Sequence, residues 1–285
     1  MPEVSDVQFM PASRVSAAQR VAVMNAAYID YFVPTHVTQD QLELMDRCYD
    51  IMPSRSVVAR TPWETIGMAL LSLRDDRTWI SGVGVVPAWR RRGLARSMMA
   101  WLIDQARAAG ARQIALEVIA DNHPARQLYG SLGFREVREL LCWQRPGTAD
   151  PLPIPFERLI YAPCQDLLDN FEAWHGQPPC WQRELASLRK IAGPLKGYRL
   201  DYEGRPAGYC IVGGHEDAVA LVDVGINPEA GLLMPGRLLL QALAAIHLGS
   251  SISITNVPAD DQLNRILAAL RFLVTLRQIE MVLDL

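Results

Sequence analysis

Between Trp79 and Phe134 the chain reads strand, basic glycine-containing loop, helix, strand, polar turn, helix, an order that leaves few ways to fold. In the run WISGVGVVPAWRRRGLARSMMAWLIDQ, an apolar strand with two glycines ends at Pro87. It flows through Arg90, Arg91, Arg92, Gly93, Leu94, Ala95 and Arg96 into a long amphipathic helix. The first N–H groups of a helix have no acceptor within it and carry the positive end of its dipole. Basic residues at such a start spell an anion site, and Gly93 and Ala95 keep side chains out of a phosphate's way.

The second half, IALEVIADNHPARQLYGSLGF, predicts a β-branched strand, a polar break at Asp121 and Asn122, Pro124 in a first helical turn and Gly133 as a helix stop. Ala125 and Tyr129 then share one helical face. Taken together, Arg90-x-x-Gly93-x-Ala95 and Asn122-x-x-Ala125-x-x-Leu128-Tyr129-x-x-x-Gly133-Phe134 resemble the GCN5-related N-acetyltransferases, which move an acetyl group from acetyl-CoA to an amine. The resemblance covers roughly residues 1–145 well and the rest as a faded copy.

The resemblance implies an α/β (α+β) fold, a mixed and mostly antiparallel sheet flanked by helices, here duplicated in tandem. It implies acetyl-CoA as co-substrate, with residues 90–96 on its phosphates, Val83 and Val85 pairing with the pantetheine arm, and Asn122 and Ala125 beside it. Tyr129 matches the family tyrosine near the CoA sulfur. The segment between the first two helices usually walls the acceptor site in such enzymes, which makes Tyr28, Tyr31 and Phe32 candidate substrate residues; core packing is the competing reading.

Acyl transfer to an amine needs a neutral amine. A lysine-like amine with a pKa of about 10.4 is neutral in fewer than about one molecule per thousand at pH 7, so a base is useful. Glu117 alternates with Leu116 and Val118 on its strand and matches the strand glutamate of some protein N-terminal acetyltransferases; a solvent-facing strand glutamate is the alternative. Asp30 is a weaker candidate, and in some multi-lobed relatives a terminal carboxylate, here beyond Asp284, reaches the active site. The leaving thiol has a pKa of about 8.5, so one O–H donor such as Tyr129 is sufficient on that side. A module that binds CoA without turnover, another acyl-CoA, and a protein N-terminus as acceptor are the alternatives to a small primary amine.

A net charge of −3 argues against a bulk nucleic-acid binder. Half of the 285 residues are hydrophobic, yet the longest apolar helix, near Leu238 to Leu248, is broken by Gln241 and His247 and too short to span a bilayer. The five scattered cysteines form no C-x-x-C pair, which suggests a reducing cytoplasm, and the five histidines show no metal-ligand spacing. Either a monomer or a homodimer is compatible with these features.

The remaining elements fall into place around this core. A strand at Asp6 to Phe9, a helix after Ser13 or Ser16, a helix at Gln39 to Tyr49 capped by Thr38, and strands at Ser56 to Ala59, Thr65 to Leu73 and Thr78 to Val86 are predicted. Gly82 and Gly84 mark a bulge or a close backbone approach. Pro146-Gly147 and Pro151, Pro153 and Pro155 suggest a stiff linker dividing a catalytic domain, 1–147, from a second domain, 156–285.

That second domain repeats the pattern from Tyr198 onward. With Pro228 set on Pro87 (an offset of 141), the basic loop becomes Gly231 to Arg237, with Leu232 and Leu233 in place of cations and Pro235 lacking an N–H. With Phe272 set on Phe134 (an offset of 138), Asp260, Leu263 and Leu267 replace Asn122, Ala125 and Tyr129. An anionic cofactor would meet an aspartate, so one working site is expected, in the first half.

Overall fold

The computed structural model describes residues 6–153, 155 and 159–285. They form two compact units. The first holds the chain up to Val118 with Asn122–Val137 and Glu280–Leu285; the second holds Ile119–Asp121 and Arg138–Ile279.

In the first unit β1 (Gln8–Pro11), β2 (Val57–Arg60), β3 (Thr65–Arg74) and β4 (Arg77–Val85) pair antiparallel in that order. Next to β4 lies β5 (Gln113–Ile119), which runs parallel to it. α1 (Ala17–Ala27) and α2 (Gln39–Cys48) start at reciprocal capping boxes, Ser16 with Gln19 and Thr38 with Gln41, each satisfying two otherwise orphaned backbone donors. α3 (Leu94–Ala108) joins β4 to β5 and buries Leu94, Met98, Met99, Leu102, Ile103 and Ala106, one stripe at helical spacing. α4 (His123–Ser131) is capped by Asn122, whose side chain accepts the Ala125 N–H at 3.3 Å, and ends before Gly133 at φ +95°.

Two irregularities in β4 position the site. Its register against β3 shifts between Leu70 and Leu71, so that Ser81 is the extra residue of a bulge. Its pairing with β5 runs only from Arg77 to Ile80. Beyond that point residues 81–85 have no β5 partner.

β6 (Arg135–Arg145) passes from the first unit into the second, which continues with β7 (Leu159–Tyr161), α5 (Cys164–Leu168), α6 (Phe171–Trp174) and α7 (Leu185–Ile191). Then come β8 (Lys196–Tyr202), β9 (Arg205–His215), β10 (Ala218–Ile226), α8 (Leu233–Ile246), β11 (Ser251–Pro258), α9 (Leu263–Ala269) and β12 (Leu273–Asp284). β8, β9 and β10 form the antiparallel meander and β11 runs parallel to β10, repeating the first unit's order around a second core that includes Leu221, Leu239, Leu243, Ile254 and Leu267.

The expected division at 147 and 156 differs from these units. The change falls within β6, and the last residues of β12 return to the first unit, where Asp284 accepts from Gln113 and Arg135. The proposed start at 156 lies outside the described residues. Before it the chain is tied down: Arg145 donates to the Asp150 carbonyl and Arg271 pairs with the Asp150 carboxylate. Among the described residues no helix is long and apolar enough to cross a membrane, and all five cysteines are unbridged and buried.

Candidate active site

Where β4 leaves β5, the first unit opens a cavity of about 350 Å³. Its floor is Val83 and Val85 of the strand segment that pairs with β3 and has no β5 partner. One wall is the loop and helix start at Arg90, Arg91, Gly93, Leu94, Ala95 and Arg96, and the other is Asn122, Ala125 and Tyr129 of α4. Eleven residues named from the sequence are thus brought together. Trp89, Pro124 and Leu128 complete the lining without having been named as cofactor residues. The signal for Leu128 was available, since it stands one residue before Tyr129 in the same motif.

The loop is curled by two left-handed residues, Arg91 at φ +64° and Gly93 at φ +82°. The first i to i−4 bond of α3 runs from Ser97 to Gly93 at 3.1 Å, so the N–H groups of Leu94, Ala95 and Arg96 have no acceptor within the helix. The arginines of this loop do different work. Arg90 donates to both oxygens of Asp30 at 2.6 and 2.8 Å, to the Val85 carbonyl at 3.0 Å and to the Ala27 carbonyl at 3.0 Å. Its guanidinium therefore ties the C-terminal end of α1, where helix carbonyls lack partners, to β4. Arg92 lies outside the cavity lining, with its guanidinium 4.7 Å from the centre of the Trp89 ring. Arg96 lines the cavity and donates to Ser131 at 2.6 Å.

Tyr129 is buried, 8% exposed, with its ring 6.1 Å from that of Phe134. Burial, with the Tyr28 and Tyr31 phenols close by, raises its pKa above the ordinary value of 10.0, so the side chain is a neutral O–H donor. Tyr28 packs edge-on to Tyr31 at 4.8 Å and donates to the Val83 carbonyl at 3.3 Å, while burial raises the Tyr31 pKa against the opposing effect of the Asn122 side chain. Tyr28 also packs on the core that contains Val23, Met24 and Met68, as its competing reading expected. Phe32 is 55% exposed and edge-on to Tyr31. None of these three rings lines the cavity itself, though Tyr28 hydrogen-bonds Val83, which does.

The candidate bases lie elsewhere. Glu117 accepts the Trp79 indole N–H at 2.7 Å and is absent from the cavity lining. Asp30 is held by Arg90, whose hydrogen bonds lower its pKa, so it is an ion-pair partner. Leu285 bonds the Arg112 carbonyl just before β5, at the end of that strand opposite Asn122.

The second unit repeats the strand geometry of the first. β10 bulges at Val222 and pairs with β11 only from Ala218 to Ala220, matching Ser81 and the Arg77 to Ile80 pairing at the offset of 141. Asp223 occupies the place of Gly82.

A family model described as the Acetyltransferase (GNAT) family matches residues 22–134. Over 61 residues the chain is 39% identical to the [ribosomal protein bS18]-alanine N-acetyltransferase of Escherichia coli K12 and 41% identical to that of Salmonella typhimurium. These matches cover 21% of this chain and 41% of the length of each relative. Among solved structures, a tandem GNAT protein from the clavulanic acid biosynthesis pathway superposes with a TM-score of 0.73 at 17% identity, covering 98% of both chains. A GCN5-related N-acetyltransferase from Sphaerobacter thermophilus gives 0.69 at 16% identity, over 98% of this chain and 96% of that one. Residues 22–134 therefore match the GNAT acetyltransferase family, and the chain as a whole has the tandem GNAT fold.

Proposed function

We propose that the first unit transfers an acetyl group from acetyl-CoA to a primary amine by direct attack in a ternary complex. The observation that carries this reading is the single cavity joining a strand segment without a β5 partner, a basic helix start and a buried neutral tyrosine. The N–H groups of Leu94, Ala95 and Arg96, with Arg91 and Arg96, would hold the cofactor phosphates. Val83 and Val85 would pair with the pantetheine amides, displacing the hydrogen bonds that Tyr28 and Arg90 make to their carbonyls. The amine nitrogen forms its bond to the thioester carbonyl carbon, the carbon–sulfur bond breaks, and Tyr129 donates to the leaving sulfur. The amine's proton passes through water to a base, for which Glu117 remains the proposal.

The partial identity to ribosomal-protein alanine N-acetyltransferases favours a protein N-terminal amine as a second acceptor class. With its five buried, unbridged thiols the protein suits a reducing cytoplasm. The test is Tyr129→Phe. Thiol release from acetyl-CoA in the presence of an amine or peptide acceptor should fall by about 10²-fold or more, while CoA affinity stays within about twofold. Unchanged turnover would remove Tyr129 from the mechanism. CoA binding with no turnover on any amine or peptide would favour a sensor.

A further inference from the structure

The second unit also holds a cavity, of about 310 Å³. Val224 and Ile226 of β10 and Asp260 and Leu263 beside α9 line it, at the places Val83, Val85, Asn122 and Ala125 occupy in the first unit. Its inner end is built differently. Asp223 is fully buried and accepts from Tyr209 Oη at 2.8 Å, His175 Nε2 at 3.0 Å and Arg183 Nη2 at 3.3 Å. The other ring nitrogen of His175 lies 2.9 Å from the Phe171 carbonyl, which can only accept. With acceptors on both sides, the ring is an imidazolium, and one carboxylate faces two cations.

Arg183 is the under-satisfied member. It is 8% exposed, lines the cavity and has five N–H donors. Its two hydrogen bonds, to Asp223 and to the Thr255 carbonyl at 3.4 Å, are long, and its buried Nε has no acceptor. A buried charge left short of acceptors beside an open cavity is costly unless an acceptor enters. Trp174, Val224, Ile226 and Leu232 give the lining its apolar part, and Asp260 and Asp261 line it too.

We propose that this cavity is a binding site for a small monocarboxylate with an apolar body, its carboxylate against Arg183 and its body against Trp174, Val224 and Leu232. The inner wall supplies one uncompensated positive charge, and the two aspartates disfavour a polyphosphate, so the ligand is not CoA. The inference stands apart from the acetyl-transfer reading and rests only on the second unit.

The test is calorimetric titration of the full chain with acetate, hexanoate and phenylacetate, each against its neutral amide. It is repeated on Leu232→Trp, which narrows this cavity and leaves the Asp223 network intact, and on Ala125→Trp, which fills the cavity of the first unit. At least one acid should bind about tenfold or more tightly than its amide, as expected for a charge-assisted hydrogen bond. That binding should weaken at least about tenfold in Leu232→Trp and persist in Ala125→Trp, both variants keeping the parent's circular dichroism. No binding of any acid, equal binding of acid and amide, or loss in Ala125→Trp instead would overturn the proposal.

Discussion

Gly84 shows how one absent methyl group sets the geometry of the site. A Cβ built there would lie 2.8 Å from the Ala27 Cβ and 3.0 Å from the Tyr28 ring, closer than carbon atoms pack. The glycine lets the last turn of α1 press against β4, which brings the Tyr28 hydroxyl to the Val83 carbonyl. Gly84→Ala should therefore force α1 outward and cost about 1–3 kcal/mol of stability, read as a lower unfolding midpoint. An unchanged midpoint would show that α1 yields without strain. The close approach was legible because glycine inside a β-branched strand is costly without such a reason. The division of work among the arginines was not, because sequence shows four cations in a loop and no acceptors. Only the fold brings Asp30 and the end of α1 to Arg90 and the Trp89 ring under Arg92.

At the scale of elements, the bulged strand that parts from its parallel neighbour is present in both units and differs in what fills it. In the second unit Asp223 fills it, and the charges around that carboxylate make the network pH-sensitive. Burial opposes ionisation of both partners. His175 is nevertheless raised above its ordinary 6.5 by the charge and hydrogen bond of Asp223, and Asp223 lies below its ordinary 3.8 through His175, Arg183 and Tyr209. The His175 contribution to stability is thus complete below pH 6.5 and lost as pH rises through the raised value. The Asp223 contribution is complete above 3.8 and lost as pH falls through the lowered value. Unfolding midpoints followed upward from pH 6 should decline in the parent and flatten in His175→Gln; identical slopes would contradict this. Asp223→Asn leaves two buried cations without their carboxylate and should cost about 3–5 kcal/mol by denaturant unfolding. A loss below about 1 kcal/mol would mean that Asp223 does not hold them.

Across the whole molecule, periodicity revealed the repeated meander, α3 and α8, and both motif helices, because each is long enough to display an apolar face. It gave no sign of α5, α6 and α7, of five, four and seven residues. Helices under two turns offer too few positions for a period. That is why His175, which directly follows α6, and Arg183, which stands in a single turn just before α7, went unread. The boundary at 147 was also misplaced, because β6 and β12 keep an uninterrupted strand pattern while passing from one compact unit to the other. The substitutions in the second copy were readable in the sequence; the Asp223 network beside them required coordinates.

The proposed transfer reaction requires a cofactor site in the first unit and none in its copy. Calorimetric titration with acetyl-CoA of the parent, of Ala125→Trp and of Leu232→Trp distinguishes the two units. One equivalent per chain is expected for the parent and for Leu232→Trp, and none for Ala125→Trp. Two equivalents in the parent, or binding that survives Ala125→Trp and is lost in Leu232→Trp, would contradict it.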